Sequence, residues 1–208
     1  DDQGDVPEAL MQGAIFASAA EPGEAWLAGV ALDPQSGGAG KLGSGTLNLY
    51  SLDLSVLSWS QDDAASLSVG ASDGLTAIVG GVSSAGLDVA YLTPDGALAA
   101  GTFDGQSWVT GGLVAPGGFL GFVAGAYDPI ARRSLLAMES VQGAVSLLVL
   151  DHSTLGSESF NPEGLNGGAI LRDAPMVVHP VWGALGVGGR SADGVTRSAE
   201  SLFGQTCP

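Results

Sequence analysis

Apolar residues along this chain come in short runs, and each run is closed by Gly, Pro, Asp, Asn or Ser. The runs are AIFASA (14–19), AWLAGVAL (25–32), TLNLYSLD (46–53), TAIVGGV (76–82) and LDVAYL (87–92). FLGFVAGAY (119–127), SLLAMES (134–140), VSLLVLD (145–151), PMVVH (175–179) and ALGVGG (184–189) continue the series. Several alternate apolar with small or polar residues, the period of a strand with one face on a core. Windows of ten residues without a helix breaker are scarce, and so are long helix-forming side chains. The pattern predicts an all-β chain.

Four segments share an order of strand, tight turn and strand: 17–30, 68–82, 122–140 and 176–189. Their turns carry Pro-Gly, Asp-Gly, Asp-Pro and His-Pro, and their second strands begin near residues 26, 77, 135 and 184. After each comes a Gly-containing loop and an alternating strand. In the first three an Asp turn and a run ending in an aromatic follow, at Asp53 and Trp59, Asp95 and Phe103, and Asp151 and Phe160. The fourth stops as its strand ends. The unit is therefore four antiparallel strands in roughly 50 residues, placed at about 14–61, 66–106, 119–161 and 174–203 of a single domain over 1–208. A four-stranded sheet has two faces to cover, and stacking copies around an axis covers both, so the expected architecture is a four-bladed β-propeller.

The strand, Gly-Gly, loop, alternating strand, Asp and Trp/Phe order resembles the kelch family of propellers. Gly80-Gly81, Gly188-Gly189, Tyr50, Asp53, Trp59, Asp151 and Phe160 carry the resemblance, over about 14–203. Unit one has Ala28-Gly29 in place of the doublet, unit three has Met138-Glu139, and the fourth copy lacks its aromatic turn. The count is one strand short. An N-terminal strand at 5–12, DVPEALMQ, would complete the last blade, or a partner chain would do so, the chain then being part of a larger ring.

Composition sharpens this picture. Glycine accounts for 34 of 208 residues, against roughly 7% in an average protein, and its scatter between apolar runs suits many tight turns. The net charge is −16, with six basic residues and Arg132-Arg133 the one basic doublet. That excludes the clustered cations nucleic-acid binding needs and disfavours an anionic membrane surface. No apolar run reaches the roughly 18–20 residues of a membrane span. DDQGDVPEAL resembles the polar start of a chain whose signal has been removed, so the expected location is extracellular, periplasmic or at the cell surface. Cys207 has no internal partner and is available for an intermolecular disulfide.

Candidate chemistry is thin. His152 and His179 both read as turn residues, and no His/Cys cluster has transition-metal spacing. No calcium-loop motif occurs, so no cofactor is expected, and bound calcium would need a site assembled across loops. GGAGKLGSG (37–45) lacks the spacing of a phosphate loop. Asp-Gly turns at 73–74, 95–96 and 193–194 are similar to those of sialidase-like propellers, but Asp-Gly is equally the ordinary hairpin turn. Trp26, Trp59 and Trp182 fall at repeat positions, where packing between blades is expected, whereas Trp108 lies in the longest connection, 103–118.

The loops joining second to third strands, and those joining blades, should share one face. This face is expected to hold Asp62, Asp63, Trp108, Glu139, Arg190 and Asp193 as binding residues. The kelch resemblance implies a secreted or cell-surface module that binds a protein or glycan partner rather than an enzyme. The alternatives are a carbohydrate-active propeller enzyme, which would need two loop carboxylates about 5–10 Å apart, and a structural subunit completed by another chain.

Overall fold

The structure is a computed structural model that describes residues 12–17, 24–32, 41–53, 55–56, 58–72, 75–159, 176–179, 184–190 and 196–202. Among them every regular element is a strand. The first meander is β1 (Gln12–Ala17), β2 (Glu24–Leu32), β3 (Gly43–Asp53) and β4 (Ser58–Ala71). The second is β5 (Ile78–Ser83), β6 (Gly86–Leu92), β7 (Leu98–Phe103) and β8 (Trp108–Ala115). The third is β9 (Phe119–Asp128), β10 (Arg133–Ser140), β11 (Val145–Asp151) and β12 (Gly156–Ser159). Last come β13 (Met176–His179), β14 (Ala184–Arg190) and β15 (Thr196–Leu202).

Among the described residues all pairings are antiparallel and join chain neighbours, apart from an isolated Thr76–Phe122 bridge and one Gly70–Leu92 pair that joins β4 to β6 and merges the first two meanders into an eight-stranded sheet. The third meander is a separate four-stranded sheet and β13–β15 a three-stranded one. The all-β expectation is therefore seen directly, and among the described residues chain-neighbour pairing groups the strands as four, four, four and three. The pairings among the described residues do not themselves close a ring, and the expected closing strand at 5–12 lies outside the described residues, save Gln12, which opens β1.

The second unit starts later than the repeat pattern placed it. β4 runs to Ala71 instead of ending at Trp59, so the run beginning at Ser68 belongs to the first unit. TAIVGGV then supplies the first strand of the second unit, β5, rather than its second. The turn between third and fourth strands accordingly uses Asp104, while Asp95 sits in the β6–β7 turn. Register explains the length of β4: Ser58–Asp62 and Leu67–Ala71 both pair with β3, with a bulge between Leu47 and Leu49 letting the strand run on.

Strand alternation sends successive side chains into two different seams. On β6, Leu87 and Val89 join the first core with Ala28, Val30, Leu47, Leu49, Val69 and Phe103. Ala90 and Leu92 point the other way, into a core with Leu98, Phe122, Leu136, Met138 and Leu150. Strands buried on both faces read as nearly continuous apolar runs, as β7 does along its whole length.

Glycine serves this stacking as much as it serves turns. A Cβ on Gly81 of β5 would stand 2.3 Å from the Tyr127 ring of β9, and one on Gly125 of β9 would stand 2.5 Å from both Val79 methyls. The first strands of units two and three thus approach closely because neither carries a side chain at the crossing.

Candidate functional site

The seam between units two and three holds a charged residue in its interior. Asp88 sits in β6 between Leu87 and Val89 with its side chain fully buried, opposite Thr102 of β7. A carboxylate withdrawn from water must find donors, and Asp88 finds four. Thr102 Oγ1 donates to Oδ1 at 2.5 Å and Tyr127 Oη to Oδ2 at 2.6 Å. Arg132 clasps both oxygens, Nη2 to Oδ1 at 2.7 Å and Nε to Oδ2 at 2.9 Å, the two-pronged geometry in which guanidinium and carboxylate fit best. Arg132 Nη2 also donates to Thr102 Oγ1 at 3.0 Å.

Turn chemistry delivers Arg132. Asp128 ends β9 and accepts from the backbone N–H groups of Ile130 (2.9 Å) and Ala131 (3.2 Å), closing an Asx turn. The chain then passes through a left-handed conformation at Arg132, φ 53°, which turns its side chain back over the seam. Replacing buried Asp128 by Ala strands those two turn donors. A loss of about 1–2 kcal/mol is expected, to be read from the urea midpoint at constant slope.

Burial alone would push the Asp88 carboxyl up, but the hydrogen bonds from Arg132, Thr102 and Tyr127 outweigh it and hold the group below its ordinary value. Burial and then the neighbouring carboxylate push the Tyr127 phenol well above its usual range.

His152 completes the cluster from the β11–β12 turn. It is almost wholly buried, its backbone N–H bonds to Arg132 O at 2.9 Å, and its ring meets Tyr127 edge-on with centroids 5.6 Å apart. Nε2 lies 2.8 Å from Ser134 Oγ, while Nδ1 has no hydrogen-bond partner. Burial pulls its pKa down to about 4. Ser134 is fully buried too, so this Ser–His pair faces the interior.

The expected binding residues fall elsewhere. Asp62 and Asp63 lie within β4, Asp62 opposite Leu49, and not on a loop. Trp108 opens β8, because the long connection 103–118 is mostly a strand. Half-buried, it packs its ring 5.6 Å from Phe103, which in turn meets Trp26 at 5.6 Å. Glu139 is buried inside β10 between Gly121 and Val145. Arg190 ends β14 opposite Thr196, whereas Asp193, Trp182 and Cys207 lie outside the described residues. These five strand placements share a cause: charge and Gly content suggested loops, while the neighbouring strands run on through them.

Three loops do come together at one end of units two and three. Phe119 N–H bonds to Gly96 O of the β6–β7 turn at 3.2 Å, and Val141 N–H of the β10–β11 turn bonds to Gly118 O at 2.9 Å. The turn 93–97, the connection 116–118 and the turn 140–144 are thereby tied into a continuous rim, from which Val141 projects, 56% exposed. Away from the seam core, a groove of about 240 Å³ is lined by Arg133, Val149, Asp151, Gly156, Ser157 and Glu158. Arg133 Nε there approaches Asp151 Oδ2 at 3.4 Å.

No family model matches this chain, and no curated protein sequence matches it. The site is thus defined by its geometry. Among the described residues, no group of three or more His, Cys, Asp or Glu side chains could hold a metal ion. Among the described residues no helix is long and apolar enough to cross a membrane. Sequence reasoning passed over Asp88, Thr102, Tyr127, Arg132 and Ser134. One signal was available, a lone charge inside the apolar run LDVAYL, which cannot be buried without a partner.

Proposed function

We propose that this chain is a non-enzymatic binding module, a kelch-like β-propeller that presents a loop rim to a protein or glycan partner outside the cell. The rim formed by 93–97, 116–118 and 140–144 carries this reading: backbone hydrogen bonds pre-organise it, which lowers the ordering cost of binding. The carboxylates support it. Asp53, Asp104 and Asp151 accept from the backbone of their own turns, Asp95 from the Thr93 hydroxyl, and Asp88 from the seam. All five are held below their ordinary range, whereas glycoside hydrolysis needs an acid raised above it.

Two assays on one preparation test the proposal. A glycan array and a panel of secreted proteins should yield a saturable ligand whose affinity falls at least about 10-fold in Val141→Asp. Aryl glycosides should show no turnover above buffer. Turnover by the purified chain, or a ligand indifferent to the rim, overturns it.

A second reading concerns assembly. The last sheet has three strands among the described residues, and β15 pairs there only with β14. A fourth strand from residues 5–12 or from a partner chain would cover that edge. Light scattering separates the two: a cooperative monomer supports the first, a stable dimer or larger ring the second.

A further inference from the structure

We infer that His152 is an acid-operated latch on the joint between units two and three: as a neutral ring it closes the joint, and its protonation opens it.

The neutral ring fits. With its hydrogen on Nε2 facing Ser134 Oγ at 2.8 Å, the buried Nδ1 is a bare lone pair, a far cheaper orphan than an N–H. A second proton creates a buried N–H with no acceptor and a cation in the seam. The groups around it are Asp88 on β6, Tyr127 on β9, Arg132 in the β9–β10 turn and Asp151 at the end of β11, with the hydroxyls of Thr102 and Ser134 beside them. Arg132 repels the new charge; Asp88 and Asp151 attract it. Asp151 is already engaged by Ser153, Thr154 and Arg133. Asp88 has both oxygens doubly occupied, by Thr102 and Arg132 at Oδ1 and by Tyr127 and Arg132 at Oδ2. It can accept an imidazolium only by releasing one of Thr102, Arg132 and Tyr127, and the bonds from Arg132 and Tyr127 are the ones that hold the sheets together.

The sign follows from linkage. Above pH 6.5 the ring is neutral in both closed and open joints. Between there and the buried ring's value of about 4, the open joint binds a proton that the closed one refuses, so closure weakens as pH falls and levels off below. With those two values the closing equilibrium drops about 80-fold between pH 6.5 and pH 4.

Amide hydrogen exchange, corrected for intrinsic rates, reads this directly. The joint amides are those of the reciprocal Thr76–Phe122 pair, which bridges from the segment before β5 to β9. Their protection should fall about 80-fold over that range, while Leu136 and Leu148, paired inside the third sheet, stay protected. His152→Gln should abolish the pH dependence, and His179→Gln should leave it intact. In the unmodified chain, an NMR titration of the His152 ring should move together with the joint amides, so the test survives a variant that folds poorly. Joint protection unchanged to pH 4, loss shared equally by Leu136 and Leu148, or an unaltered profile in His152→Gln each overturns the latch.

Discussion

Asp88→Asn is expected to lower the unfolding free energy by about 3 kcal/mol, at the lower end of what breaking a buried ion pair costs. The reason lies in what remains: Arg132, whose side chain is 22% exposed, keeps its charge beside an amide. The amide can accept at one atom only, so half of the donors from Arg132, Thr102 and Tyr127 lose their acceptor. The partial exposure of Arg132 lets water recover some of the loss, which is why the lower end applies. A cycle with Arg132→Met separates pair from site. If Asp88 serves chiefly to satisfy Arg132, the double variant should be less destabilised than the sum of the singles. The wild-type pH profile adds a second reading. Because Asp88 is held below its unfolded value of 3.8, its stabilisation is fully present above that pH and is lost as pH falls through the lower folded value. That window lies below the one assigned to His152. Equilibrium urea melts at pH 7 decide the matter, and a loss under about 1 kcal/mol would mean that the seam does not depend on this pair.

Gly81→Ala is expected to cost about 3–5 kcal/mol, far more than a methyl group ordinarily costs in a strand. The added Cβ would lie 2.3 Å from a ring carbon of Tyr127, and that ring has no room to withdraw. Its hydroxyl is held at 2.6 Å by Asp88 and its edge packs against His152. Overpacking contributes about 1–3 kcal/mol, and the displaced hydrogen bond to a charged acceptor about 1.5–3 more. Tyr127→Leu should relieve the clash, so the double variant should be markedly more stable than the two single losses predict. Additive losses would show that Tyr127 is not what the methyl strikes. Thermal melts of the three variants supply the cycle.

How much of this could be read from the chain differs from element to element. β9, β10 and β11 were legible nearly to the residue, because apolar runs, the Asp128-Pro129 turn and the Asp151 turn coincide with hairpins there. The phase of the second unit was not. SVGASDGLTAIVGGV has two apolar runs around Asp-Gly, the signature of a hairpin, yet β4 and β5 belong to different meanders. Turn chemistry is local and cannot distinguish a hairpin from a crossing between two meanders of one sheet. Glu139 and Trp108 were misplaced on loops for a related reason: whether a run ends at a glycine or a charge depends on its neighbour's register.

Local patterning is enough to make this protein a set of antiparallel strands joined by tight turns, since side-chain alternation and Asp-capped turns act over a few residues. It also left one clear trace of the seam, an aspartate where an apolar strand should be continuous. What that aspartate meets is set by the packing of distant segments. Tyr127 and Arg132 lie 39 and 44 residues further along the chain, and His152 further still. They reach Asp88 because two sheets stack closely where Gly81 and Gly125 leave out a side chain, and no short-range pattern encodes which faces will meet.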